Sequence, residues 1–444
     1  MTDAPSWWWA DLGGLPAPRP ALDGDREADV CIVGAGYTGL WTAYELLRAD
    51  PSLVVVVVER EVAGYGASGR NGGWVLGEIS TGSRQREAAG DTAIEALERA
   101  ARETVDEVGA ACEREGIDCD FVKGGSLTVA QTAPQLARLQ SAPRGEWLTV
   151  AEADARLRVA GLRGARFTPH CARVQPAKLA RGLAHAVERH GATIHESTAA
   201  LDIASHSVRT ASGTVRARWV VRATEGYTAG LSGLERALLP LSSSMIVTEP
   251  LDAETWAQIG WGGCETLDDA AHAYIYAQRT GDGRIAIGGR GRPYRFGSST
   301  DRAGEIPDAT VRQLRGRLTR LFPMLAGVRL DGAWTGVFGV ARDWAAAVHC
   351  DRDSGLCWAG GYAGEGVAAA NLAARTLRDL ILDRDTELAR LPWVGHQARG
   401  WEPEPLRWLA VQTVYGAFRA ADALEDRTGK PSRLAGAAGA LSGR

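Results

Sequence analysis

Gly34, Gly36 and Gly39 stand as G-x-G-x-x-G within "IVGAGYTGLW", and a carboxylate, Glu59, lies twenty residues beyond the third glycine. That spacing suits a dinucleotide. The first glycine makes a tight turn, the second lets backbone approach a pyrophosphate, and the third lets a helix pack closely on its strand. Tyr37 and Thr38 open that helix, whose N–H groups face the phosphates. Glu59, followed by Arg60, is placed to accept hydrogen bonds from a ribose 2′-hydroxyl and to repel a 2′-phosphate. FAD and NAD satisfy these residues equally well.

A second stretch discriminates between them. "GASGRNGGW", residues 66–74, follows the Glu59 strand and sets Gly69, Gly72 and Gly73 around Ala67, Ser68, Arg70 and Asn71. Four glycines in eight positions carry a large backbone entropy cost, which fits a backbone that must come close to a ligand. A flavin has a ribityl chain and a tricyclic ring to cradle beyond the pyrophosphate. Ser68, Arg70 and Asn71 are expected to bond its phosphates or the polar edge of its ring. Near the other end of the chain, "AGGYAGEGV" forms another glycine turn before a helix. There Gly361, Tyr362, Glu365, Gly366 and Val367 are expected to face the pyrimidine end of the flavin, where a helix N-terminus favours negative charge. An NAD-linked dehydrogenase and a non-enzymatic flavin-binding protein are the alternatives.

Substrate candidates come from residues 271–291, which read as a β-hairpin turned at Gly281-Asp282-Gly283. Strict alternation sets Tyr274, Tyr276 and Gln278 on one face. Arg279 follows at the turn, and Tyr276 with Arg279 forms the pair expected to grip a substrate carboxylate. No Ser/His/Asp triad, paired-carboxylate motif or metal cluster stands out, and the eight histidines are isolated.

Those residues need elements to position them. "ADVCIVGAGYTGLWTAYELLRADPSLVVVVVER" reads as strand, glycine turn, helix, turn and strand. Residues 84–115 predict one long amphipathic helix, "FVKGGSLTVA" a hairpin and "TAPQLARLQ" a short helix. A second α/β unit starts at Gln175, and a helix over 404–425 places Leu406, Leu409, Val414, Phe418 and Leu424 on one side, as a packing or dimer element. With 444 residues, 45% hydrophobic, 23% charged and a net charge of −4, the chain reads as globular, without a footprint for nucleic acid. No apolar run approaches the ~20 residues of a membrane span. Seven scattered cysteines suggest neither a disulfide framework nor a zinc signature, so the cytoplasm is the expected compartment.

"ADVCIVGAGYTGLWTAYELL", "VVER", "GASGRNGG" and "WAGGYAGEGV", in that order, resemble the D-amino-acid, glycine and sarcosine oxidase family of flavoproteins, with the branch of γ-glutamylputrescine oxidase most similar. The resemblance covers roughly residues 20–385. It implies an α/β Rossmann-like FAD-binding domain assembled from separated segments (1–85, 165–232 and 332–390). Above it would lie an α+β substrate domain with a mixed sheet over the flavin (86–164 and 233–331), with a C-terminal helical extension over 391–444. Val174 and Thr224 complete the expected cofactor set. The implied reaction is oxidation of a C–H bond next to an amine nitrogen of an amine or amino acid, with dioxygen as electron acceptor. Sarcosine-oxidase-type members tether their flavin to a cysteine, but the matching "GVFGVARDW" has none, so FAD is expected to be held non-covalently. Nor does Arg284-Ile285-Ala286-Ile287 hold the lysine that assists oxygen in some members, and Glu365 replaces a common histidine. A monomer or homodimer is expected.

Overall fold

The computed structural model describes residues 4–142, 144–291, 293–300 and 303–442. Two eight-stranded sheets organise it. In the first, Arg26–Val33 lies between parallel neighbours Val55–Val58 and Thr214–Arg222, with Thr193–His195 and Leu356–Gly360 outside them. Helices Tyr37–Ala49, Pro176–Arg189 and Gly366–Ile381 bury one face of this sheet in a core that includes Val30, Ile32, Leu40, Leu183 and Leu372. The valine run is β-branched and buried on both faces, as expected of a central parallel strand. Gly39 must be glycine, because a Cβ there would collide with the Gly34 carbonyl oxygen where helix meets strand. Gly34 itself sits at φ +104°.

The second sheet is mixed. Leu239–Thr248 pairs antiparallel with Ile285–Gly289 and Leu330–Val340, and the hairpin strand Ile275–Arg279 follows. Beyond it, Thr266–Asp269 runs parallel to Ser126–Ala130. Leu127, Leu267, Ile275, Ile287 and the helix Asp308–Leu321 pack on one face. The other face packs Met245, Val247 and Trp334 against Trp7, Trp8 and Trp9 and against Ala177 of the helix Pro176–Arg189. The two-layer α/β arrangement with a mixed second sheet agrees with the fold class read from sequence.

Four local expectations change. The long helix is broken at Gly90 (φ +77°) into Ser83–Ala89 and Asp91–Glu115. "FVKGGSLTVA" is no hairpin: Val122 bridges to Arg173 whereas Ser126–Ala130 enters the second sheet, so Gly124-Gly125 passes the chain between sheets. The C-terminal helix spans Leu406–Thr428 and a further helix, Arg433–Ser442, follows. Val414 and Phe418 are buried, but Leu406 and Leu409 are 59% and 50% exposed. Finally, Cys350 and Cys357 are paired across adjacent antiparallel strands and joined as a disulfide. Sequence distribution hid this pair because a strand partnership, and no local motif, brings the sulfurs together. No described helix is long and apolar enough to cross a membrane.

Candidate active site

A cavity of about 840 Å³ opens beyond the carboxyl ends of Arg26–Val33 and Val55–Val58 and runs beneath the second sheet. Ligands of open α/β sheets bind at such a place. Gly34, Gly36, Tyr37 and Thr38 line it where the helix Tyr37–Ala49 begins. Ser68 Oγ accepts the Tyr37 N–H at 2.8 Å, so a hydroxyl stands at that helix N-terminus. Glu59 Oε2 accepts from the Ala35 N–H at 2.8 Å and Oε1 from the Glu61 N–H at 3.0 Å. Burial raises its pKa. Beside it Arg60 lies 5.3 Å over the Tyr227 ring, and Thr224 Oγ1 meets Thr228 Oγ1 at 2.7 Å.

The 66–74 loop lines the same cavity through Gly66, Ala67, Ser68, Arg70, Asn71, Gly72 and Trp74. Asn71 staples its own loop: Nδ2 donates to Ser68 O at 2.9 Å and Oδ1 accepts from the Gly73 N–H at 2.7 Å. Arg70 is 1% exposed, donates from Nε to Tyr65 O at 2.9 Å and stacks 4.5 Å over the Tyr65 ring. Trp334 Nε1 donates to its carbonyl at 2.8 Å. From the N-terminus, Ser6 Oγ donates to Gly69 O at 2.7 Å and Trp8 Nε1 to Asn71 O at 2.9 Å. The glycines answer to protein as much as to a ligand. Added Cβ atoms would strike Trp9 at Gly69, Tyr276 at Gly72 and Gln278 at Gly73.

The second glycine turn is held by a carboxylate that sequence reasoning passed over. Glu225 Oε1 accepts the N–H groups of Gly361 at 2.9 Å and Tyr362 at 3.1 Å, and Oε2 accepts that of Gly339. Burial pushes its pKa up to about 7. Tyr362 Oη meets Thr38 Oγ1 at 3.1 Å, so the two glycine turns touch. Glu365, Gly366 and Val367 line the cavity. Gly39, Gly69, Gly73, Val174 and Gly361 lie behind its wall and support it. Val174, for instance, donates its N–H to Gly73 O at 2.8 Å. One signal for Glu225 was available: an acid directly after the strand ending "VVRAT", beside the named Thr224.

Under the second sheet the wall carries Ser243, Asp268, Tyr274, Tyr276, Arg290 and Phe338. The Tyr276 ring lies across Gly288, bonds Ser243 Oγ at 2.8 Å and meets Trp74 edge-on at 6.3 Å. Arg279 does not line the cavity. Its Nη1 donates to Trp261 O at 2.7 Å, and its guanidinium stacks 4.2 Å over Trp256. The reason is strand alternation: residue 279 points opposite to 276 and 278. Gln278 instead joins the layers, donating to Gly72 O at 2.7 Å and Val174 O at 3.1 Å. The guanidinium on this wall of the cavity is that of Arg290, 7% exposed, 4.4 Å over Phe338 and beside Tyr274.

Residues 29–380 match the family model described as DAO, FAD dependent oxidoreductase. Gamma-glutamylputrescine oxidoreductase of Escherichia coli (strain K12) is 31% identical over 412 residues, 88% of this chain and 93% of that protein. Glycine oxidase of Geobacillus kaustophilus is 28% identical over 82% of this chain and 96% of its own. In fold, the crystal structure of glycine oxidase from Geobacillus kaustophilus superposes with a TM-score of 0.67 at 24% identity, covering 84% of this chain and 99% of that one.

Proposed function

This chain belongs to the FAD dependent oxidoreductase family, and from that premise we propose that its cavity oxidises an amine or amino acid beside FAD. The residues present suit the cofactor. Gly34 and Gly36 bring the backbone to the cavity at a helix N-terminus, and Glu59 stands where a ribose would lie. A volume of about 840 Å³ also exceeds what a small amine alone would need. In this reading Gly34, Gly36, Tyr37, Thr38 and Ser68 hold the pyrophosphate, and Glu59 the ribose. Arg70 belongs at the ring end, since it packs against Gly336 and bonds Trp334, both on the second sheet. Glu225 presents the Gly361–Tyr362 turn to the same end.

The chemistry that bound FAD supplies is hydride acceptance from a C–H bond next to an amine nitrogen; water hydrolyses the imine so formed, and dioxygen is the proposed reoxidant. Arg290 and Tyr274 orient a substrate carboxylate, and Tyr276 sets the distance between substrate and the 66–74 loop. The named activities of the γ-glutamylputrescine and glycine relatives support an amine substrate. The observation that carries the reading is one cavity joining a dinucleotide cradle to a buried arginine–tyrosine wall. Its test is anaerobic titration of the purified protein with amines and amino acids. Flavin absorption should bleach with at least one of them; failure of every amine and amino acid to bleach it would sink the reading. We further propose non-covalent FAD, which acid precipitation should release entirely into the supernatant. Five free cysteines suit the cytoplasm, whereas Cys350–Cys357 pulls the other way. A monomer or homodimer remains the proposed assembly.

A further inference from the structure

Asp268 occupies the cavity wall directly beside Tyr276. The two are partners across the ladder between Thr266–Asp269 and Ile275–Arg279, and Thr128 is the partner of Asp268 on its other side. Directly opposed residues on one sheet face sit about 5 Å apart, so all three share the face that roofs the cavity. Asp268 Oδ1 is shut off from solvent and has no hydrogen-bond partner among the described residues. The leading charge effects on it come from carboxylates, Asp269 and Glu78, while the Thr128 hydroxyl eases it. Asp269 is different: it accepts the Ile275 N–H at 3.1 Å and pairs with Arg317.

A buried carboxylate with no cation is unfavourable, and proteins rarely keep one without a use. Burial pushes the Asp268 pKa up to about 8. Such a group is relieved most by a ligand that brings the missing positive charge. Meanwhile a cation on the same roof, Arg290, lies past Gly288 and Gly289 at the other side of Tyr276. The roof is thus bipolar, with a carboxylate on one side of Tyr276 and a guanidinium on the other.

We propose that Asp268 receives a second ammonium group of the substrate, one that is not oxidised. The preferred substrates then carry two ammonium groups, and a simple monoamine lacks one of the contacts the cavity offers. The proposal deepens the amine-oxidation reading and rests on it. Asp268 acts here by contact with substrate, as a specificity-determining residue. The bound ammonium donates an N–H to the Asp268 carboxylate where that side chain lines the cavity, a charge-assisted bond.

Matched pairs test this on the holoenzyme under anaerobic conditions: 1,4-diaminobutane against n-butylamine, and ornithine against norvaline. The readout is the concentration that half-saturates the change in flavin absorption, whether perturbation or bleaching. The member with two ammonium groups should bind about tenfold or more tightly in at least one pair, the worth of one charge-assisted bond. Asp268→Asn, nearly isosteric, should bring that ratio to within about twofold of one, with flavin content and melting temperature reported as the folding control. No preference in the native enzyme, or a preference that survives Asp268→Asn, overturns the proposal. If monoamines bleach the flavin as readily as diamines, amine oxidation stands and the role of Asp268 falls. If no amine or amino acid perturbs or bleaches it, both fall.

Discussion

Arg290 and Arg279 carry the same charge into different surroundings, and substitution separates them. Arg290 is stacked on Phe338 inside the cavity, whereas Arg279 is bonded to Trp261 O on the opposite face of the sheet. Arg290→Ala should weaken binding of carboxylate-bearing substrates by about 1.5–3 kcal/mol, roughly 10- to 100-fold in the titration midpoint, and Arg279→Ala should leave that midpoint alone. Equal effects from the two variants would contradict the assignment. Glu225 gives a prediction of pH dependence. Its pKa is raised from 4.5 to about 7 in the folded chain, so the folded state favours the neutral acid. Its contribution to stability is fully present below pH 4.5 and is lost as pH rises through about 7. Glu225→Gln places an amide among three N–H donors and should destabilise the second glycine turn by about 1–3 kcal/mol. The same change should flatten the fall in apoprotein melting temperature between pH 4.5 and 7. Parallel pH curves for native and variant protein would exclude that titration.

At the scale of elements, the short helix Trp7–Ala10 acts on a loop sixty residues away in sequence. Trp8 donates to Asn71 O, Ser6 to Gly69 O, and Gln175 Nε2 holds Trp8 O at 2.8 Å. Trp8→Phe keeps the packing and deletes one donor to a partly buried carbonyl. The expected cost is about 1 kcal/mol, read as a severalfold weaker retention of flavin on dialysis. Unchanged retention would reduce this helix to filler. The glycine turn, its helix and Glu59 were legible in sequence because each depends on neighbours within thirty-odd residues. Gly69 and Gly73 were legible as a loop, but the reason for their types was not, since Trp9 and Gln278 approach from distant segments. Arg290 and Asp268 escaped for the same cause. Their surroundings are made by strand partnerships such as Asp268 with Tyr276, and those have no local trace. Arg279 was recoverable: the alternation that put Tyr276 on the cavity face already put residue 279 on the other.

At the scale of the whole molecule, the contact between Trp8 and Trp334, edge-on at 5.7 Å, joins the start of the chain to its last quarter. Arg70 O and Asn71 O receive their indole donors from those two residues. During synthesis the N-terminal tryptophans therefore emerge long before the surface they are made to meet. An apolar stretch left waiting on a ribosome is a target for chaperones. Flavin capture is then expected only after Val367 has left the exit tunnel. Ribosome-stalled chains of increasing length should retain flavin only beyond that point, and retention by a chain that stops before Trp334 would show that the loop sets itself. The cell's supply of cofactor then matters once these distant segments have met, when the chain either fills its cavity or faces proteolysis empty.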